Sequence, residues 1–571
     1  MHEEEGILLE GLSKIFPGQK QPALDCLDLR FPAGKRIGIV GPDGAGKTTL
    51  LRLLSGLLLP SSGKITIFGL DALKKVKDIH EFIGYMPQKF GLYEDLTVYE
   101  NLSLYSDLQG IPKEEKETTF ARLLAFSSLE PFRKRLARDL SGGMKQKLGL
   151  SCSLMKKPRL LLLDEATVGV DPLSRRELWK MVSDLLVEKV TIFWSTSYLD
   201  EAEACDEVLL LHEGKILFYG EPKELTKRAE GRVFLAKSLK GKKRELFSTL
   251  SIESDVVDVT VQSSSLRLVL KEGKSVVGNL AEQAGGFLEE IPPRFEDVFI
   301  SLLKEKNMQS FPCLKAEKKV HLEKTCVIEA RDLCKSFGSF NAVRNVTFQV
   351  KPGEIFGLLG PNGAGKSTTF KMLCGLLHSS SGGAYVSGVS LEKSASEARG
   401  KVGYMAQKFS LYGNMTVKQN LHFFAGIYPI PPVRKEVVVS EMVEVFGLTP
   451  YLNQITSDLP LGFKQRLALS CAIMHQPDVL FLDEPTAGVD PLTRREFWGH
   501  INTLVESGMT IMVTTHFMDE AEYCDRIGLI LDGKLMNLGT PEDLKNLARS
   551  EALPAPTLED AFIFLSQKKE G

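Results

Sequence analysis

The chain has 571 residues, a formal net charge of −2, 43% apolar residues and 25% charged residues. This length exceeds the roughly 250–300 residues at which a single hydrophobic core stops growing, so several domains are expected. The balanced charge argues against nucleic acid or an anionic lipid surface as the main partner, and no apolar run approaches the roughly 18–20 residues that span a bilayer.

The first residues, Met1-His2-Glu3-Glu4-Glu5, are acidic and lack the basic-then-apolar layout of a secretory signal. If the protein acts on a membrane, separate subunits are expected to provide the span. Nine cysteines, with no Cys-x-x-Cys pair and with Cys152, Cys374 and Cys471 in apolar surroundings, read as reduced, buried thiols.

Residues Arg36–Val40 read as a buried strand. It runs into Gly41-Pro42-Asp43-Gly44-Ala45-Gly46-Lys47-Thr48-Thr49, and a helix is predicted over Thr48–Leu54. Strand, G-x-x-x-x-G-K-[ST] and helix form the P-loop context. Glycines let successive backbone N–H groups turn around phosphate, at a helix N-terminus that favours an anion. Lys47 is expected to reach the outer phosphates and Thr48 to offer a hydroxyl to Mg²⁺. Further along, Leu160 to Leu163 form an apolar strand ending in Asp164-Glu165. The first carboxylate suits Mg²⁺; the second can orient and deprotonate an attacking water.

The same series then recurs 319 positions later. Strand Ile355–Leu359 leads into Gly360-Pro361-Asn362-Gly363-Ala364-Gly365-Lys366-Ser367-Thr368, with a helix over Ser367–Leu373. Gln88 returns as Gln407, Asp164-Glu165 as Asp483-Glu484, and Asp200-Glu201-Ala202-Glu203 as Asp519-Glu520-Ala521-Glu522. Between the copies the register breaks. The segment from Pro293 to Ile300 resembles Pro556 to Ile563 at an offset of only 263, so the first copy carries about 56 extra residues. Within them Val257, Val259 and Val261, then Leu266, Leu268 and Leu270, alternate like two strands split by a Ser-rich turn. The expected organisation is therefore an ATPase domain at 1–225, an accessory α+β domain at 226–303, a linker at 304–324, a second ATPase domain at 325–545 and a tail at 546–571.

Leu140-Ser141-Gly142-Gly143-Met144-Lys145-Gln146, a short stretch before Asp164, resembles the signature motif of ABC ATPases. Gln88 and Gln407 match that family's Q-loops, Val170-Asp171 and Val489-Asp490 its D-loops, and His516 its switch histidine. Phe16 and Phe337 stand where the family places a ring against adenine. The resemblance covers both copies. It implies an α/β chain with two P-loop ABC ATPase domains in tandem, each with a helical subdomain. It also implies Mg²⁺-dependent ATP hydrolysis. Thr48, Gln88 and Asp164 would serve the metal in one site, and Ser367, Gln407 and Asp483 in the other. In the family two such units form a head-to-tail sandwich, with each ATP between one P-loop and the other unit's signature.

The copies differ at two motifs. The second signature reads Leu459-Pro460-Leu461-Gly462-Phe463, so Pro460 replaces the serine and Leu461 a glycine. Proline has no N–H to donate, and leucine blocks close backbone approach. In the first copy Ser197 takes the switch-histidine position. A serine cannot act as a cationic or bidirectional partner to the γ-phosphate as imidazole can. In the sandwich both losses fall on one site, the first P-loop facing the second signature. The other site keeps Lys366, Asp483, Glu484, His516 and Gln407 with Ser141, Gly142 and Gly143. We expect slow hydrolysis at the first P-loop, with Glu165 retained for residual activity, and turnover at the second. Asp43, where the second copy has Asn362, adds a carboxylate beside the phosphate loop.

Segments Phe90 to Leu102 and Phe409 to Leu421, with Tyr93 and Tyr412, resemble the coupling region of ABC-2-type exporter ATPases. The resemblance extends to fused ATPase subunits of efflux systems that work with two separate permease subunits. It implies a peripheral position on the cytoplasmic face of the inner membrane, permease partners and no nucleic acid. The alternative is a soluble tandem ABC ATPase acting on ribosomes or nucleic acid. Such proteins carry a long charged arm, zinc modules or coiled coils, and here the linker has only about 20 residues. A non-catalytic regulatory ATPase is a third option, against which the complete second site argues.

Overall fold

A computed structural model describes residues 6–19, 21–88, 91–239, 243–273, 286–306, 326–392, 400–408, 410–551 and 553–567. It divides into two units. Met1–Glu230 with Pro293–Phe299 form the first, and Gly231–Pro292 with Ile300–Gly571 the second.

In the first unit a six-stranded sheet carries the P-loop. Its order is Lys215–Gly220, Glu207–His212, Arg36–Val40, Thr191–Ser195, Leu160–Asp164 and Ile83–Met86. All neighbours are parallel except the first pair. The interior strands are buried on both faces, which is why they read as unbroken apolar runs rather than alternating ones. Arg36 is one of the buried polar residues among them. Its guanidinium stacks 3.9 Å from the Trp179 ring and donates to the Ala204 carbonyl at 2.7 Å. A second, antiparallel sheet pairs Ile7–Lys14 with Leu24–Phe31 and Ser62–Ile67. The helical subdomain consists of Val98–Leu108, Lys113–Ser127 and Gly142–Ser153, packed around Phe120, Leu123, Leu148 and Leu150.

The second unit repeats this plan. Its six-stranded sheet runs Val402–Met405, Val479–Asp483, Thr510–Thr515, Ile355–Leu359, Arg526–Leu531, Lys534–Gly539. The copied wiring extends to single bonds: Asp206 Oδ2 accepts the Arg36 N–H at 2.8 Å, and Asp525 Oδ2 accepts the Ile355 N–H at 2.9 Å.

Within the inserted residues the alternating stretches lie in two strands. Val256–Gln262 and Ser265–Leu270 pair antiparallel through a two-residue turn at Ser263-Ser264, with Ser263 at φ 52°. Val233–Lys237 and Phe287–Glu290 complete a four-stranded sheet, and helix Lys243–Ser251 covers one face. Segment Gly231–Pro292 belongs to the second unit, not the first. Its buried Leu246, Leu250, Val259 and Leu268 share one continuous apolar cluster with Trp498, Ile501 and Val505 of the second ATPase domain. Most of the linker at 304–324, and Phe90 and Phe409, lie outside the described residues.

Candidate active sites

Each P-loop sits where a central parallel strand ends and a helix begins. Gly46 and Gly365 are the N-caps of helices Lys47–Leu54 and Lys366–Leu373, at φ 104° and 98°. A Cβ at Gly46 would come 2.6 Å from the Ala23 carbonyl oxygen, and one at Gly365 2.4 Å from that of Ala342. Both positions therefore require glycine for φ and for space. The lysine side chains curl back over their loops. Lys47 Nζ donates to the Gly41 carbonyl at 2.7 Å and Lys366 Nζ to that of Gly360 at 2.7 Å. Both ammonium groups are thus held at the loop mouth, and Thr49 and Thr368 follow on the first helical turn.

The carboxylate strand lies in the same sheet, so Asp164 and Asp483 arrive beside the P-loop hydroxyls. Thr48 Oγ1 donates to Asp164 Oδ1 at 3.1 Å, and Ser367 Oγ to Asp483 Oδ1 at 3.4 Å. Burial pushes both carboxyls above the usual aspartate range. Asp164 Oδ2 is buried and accepts no hydrogen bond among the described residues. A buried carboxylate with a spare oxygen beside a hydroxyl is an oxygen donor set of the kind Mg²⁺ takes, so the residues fit that ion.

The next residue turns sharply. Glu165 and Glu484 adopt φ 52° and 47°, a left-handed conformation uncommon outside glycine and often stored at functional sites. Gln88 Nε2 donates to Glu165 Oε2 at 2.9 Å, and Gln407 Nε2 to Glu484 Oε2 at 2.6 Å. Gln88 and Glu165, and Gln407 and Glu484, are thus brought together. His516 Nδ1 stands 3.4 Å from Glu484 Oε2. Burial would raise the Glu484 carboxyl, but His516, Lys366 and Gln407 together hold it below the usual glutamate range. In the first unit Ser197 is buried at the matching position.

The signature helices differ at their first turn. Ser141 caps Gly142–Ser153, its Oγ accepting the Met144 N–H at 3.3 Å. Pro460 starts Leu461–Ile473 with no side-chain cap. Gly143 is pressed against the D-loop helix Pro172–Val187, since a Cβ there would lie 2.4 Å from Ser174 Oγ. Phe16 is half-buried and Phe337 exposed, with Lys14 and Lys335 ammonium groups 5.4 and 5.2 Å from the ring centres.

Three sets of residues escaped the motif reading. Thr514 Oγ1 donates to Asp483 Oδ1 at 2.6 Å, steadying the carboxylate from the neighbouring strand. Glu201 is buried and accepts hydrogen bonds from Trp194, Thr196 and Thr167; burial raises its carboxyl to about 7. Its recurrence as Glu520 was the available signal. Asn101 and Asn420, fully buried, hold the loops that present Tyr93 and Tyr412. Tyr93 and Tyr412 are 54% and 47% exposed, which leaves surface for contact.

The sequence profile of the ABC transporter family matches residues 24–168 and 343–487. The chain is 56% identical to the probable multidrug ABC transporter ATP-binding protein YbhF of Escherichia coli K12, over 98% of this chain and 97% of that protein. It is 38% identical to the linearmycin resistance ATP-binding protein LnrL of Bacillus subtilis 168, over 38% of this chain and 70% of that one. A solved structure of an ABC transporter ATP-binding subunit is 27% identical and covers 42% of this chain and 99% of that one, with a TM-score of 0.39.

Proposed function

The chain belongs to the ABC transporter family as an ATP-hydrolysing, tandem-domain ATP-binding protein, and from that premise we propose that it powers an ABC-2-type exporter with one slow and one fast ATP site. The permease subunits are separate polypeptides. The chain binds them from the cytoplasmic face of the inner membrane, and Tyr93 and Tyr412 lie on the docking surface. The observation that carries the asymmetry is the pair of Glu484 with His516 at 3.4 Å, against buried Ser197 in the first unit.

At the second P-loop, backbone N–H groups and Lys366 bind the phosphates, and Phe337 stacks on adenine; Phe16 does the same in the first. Ser367, Asp483 and Gln407 would hold Mg²⁺ there, and Thr48, Asp164 and Gln88 would hold it at the first P-loop. The ion neutralises charge on the phosphate oxygens when bound. Glu484 orients the attacking water and takes its proton. Gln407 and His516 keep the Glu484 carboxylate ionised and aimed, as a general base requires. Ser141, Gly142 and Gly143 complete this site in the family's head-to-tail sandwich. In the family's head-to-tail arrangement the first P-loop would face a Pro460-Leu461 signature, which offers neither the cap hydroxyl nor close backbone approach, so slow hydrolysis through Glu165 is the reading for that site. The accessory domain spans 226–303 and the linker 304–324. Names of the relatives given above support export over action on ribosomes.

The test is steady-state ATPase activity of the full chain and of Glu165→Gln and Glu484→Gln, with nucleotide binding checked in each. Loss of a general base costs about 10²–10⁴-fold, so Glu484→Gln should fall that far while Glu165→Gln keeps most turnover. Equal losses would refute the asymmetric reading.

A further inference from the structure

The accessory segment does not merely touch the second ATPase domain; it grips the helix after the second D-loop. Helix Pro491–Glu506 begins at Asp490, whose Oδ1 accepts the Leu492 and Thr493 N–H groups at 3.1 Å each. Two adjacent arginines then tether it to different neighbours. Arg494 donates to the Val489 carbonyl at 3.2 Å and stacks 4.4 Å from the Phe517 ring, beside His516. Arg495 turns to the accessory sheet and pairs with Asp258 at 3.2 Å, both residues being buried. Lys304 Nζ reaches the other oxygen of Asp258 at 2.7 Å. At the far end, Ser248 Oγ donates to Glu506 Oε2 at 2.6 Å, and helix Lys243–Ser251 lies along the same helix.

The catalytic segment is short and internally closed. Only five residues separate Glu484 from Asp490, and Ala487 N–H to Glu484 O and Val489 N–H to Thr486 O bridge them at 3.3 and 3.1 Å. A shift of the helix must therefore move the turn that begins at Glu484. A second anchor works from below the sheet. Arg244 of the accessory helix pairs with Asp525, the residue that accepts the first N–H of the P-loop strand. A buried ion pair is weak evidence for net stability, because desolvation offsets its attraction. Its directional value is greater: two buried charges tolerate one arrangement.

We propose that the accessory domain is a brace for hydrolysis at the second P-loop, in which Asp258, acting through Arg495, is a positioning residue for the Glu484–Asp490 segment. This rests on the reading of Glu484 as the base at that site. The brace acts on the rate of the chemical step and not on nucleotide affinity, since neither residue contacts the phosphate loop.

The experiment uses the full chain. Asp258→Leu alone would strand a buried arginine, so the informative variant combines Asp258→Leu with Arg495→Leu, which removes both buried charges and leaves the partly exposed Lys304 to turn to solvent. Misplacing a catalytic group by about 1 Å costs up to about a hundredfold, so kcat should fall roughly ten- to a hundredfold with KM for ATP unchanged within about twofold. Hydrogen–deuterium exchange at 484–492 should quicken while exchange in the P-loop helices stays as in the parent. Unchanged kcat together with unchanged exchange at 484–492 would overturn the brace, and so would a parallel rise in KM with general loss of protection. Glu484→Gln, assayed alongside, separates the two claims. If it keeps turnover, the assignment of the base falls, and the exchange at 484–492 still decides whether the brace exists.

Discussion

The proposed functional difference between the two halves comes down to a few side chains. Glu165 and Glu484 share the same left-handed turn and the same glutamine partner, yet only Glu484 has an imidazole at its carboxylate. The first site should therefore be repairable. In a Glu484→Gln background, Ser197→His with Pro460→Ser and Leu461→Gly is expected to raise ATP turnover by at least about tenfold, measured by phosphate release. His500 gives a second residue-level prediction. It is buried against Phe446, with rings 5.0 Å apart, and burial, aided by the Arg466 charge, lowers it to about 4. The unfolded imidazole takes up a proton near pH 6.5, whereas the folded one resists it until about pH 4. Stability is thus lost as pH falls through this window, by about 2 kcal/mol between pH 7 and pH 5. His500→Leu should flatten that part of the profile in denaturant titrations.

Elements were legible where chemistry is local. Both P-loop strands, both carboxylate strands and the accessory hairpin announced themselves by apolar runs, glycines or alternation, because burial and turn geometry act within a few residues. The Thr97 and Thr416 capping boxes were equally local, with Glu100 and Gln419 returning the bond. What stayed hidden was the wiring between elements. Asn420 reads as an ordinary helix residue, yet its side-chain amide serves Tyr412 at both backbone groups, the Thr416 carbonyl and Thr456 Oγ1. Asn420→Ala should orphan several buried polar groups and cost roughly 1–3 kcal/mol by denaturant unfolding. Because the loop presenting Tyr412 loosens, stimulation of ATPase activity by the permease should fall more than basal activity does. Likewise, no pattern in the sequence links Asp258 to Arg495, which are distant in the chain and joined only by folding.

At the scale of the molecule, no helix among the described residues is long and apolar enough to cross a membrane. The proposed function makes membrane association depend on partners: fractionation is expected to find the chain with membranes only when the permease subunits it is proposed to bind are co-produced, and an alkaline carbonate wash should release it. The division into units holds a further consequence. The sequence repeats at Gly360, and the obvious seam is the linker at 304–324, but Gly231–Pro292 shares its core with the ATPase domain on the far side of that seam. A gene fission there would leave the upstream product with the accessory sheet's apolar face uncovered, and the downstream product with Arg495 parted from Asp258.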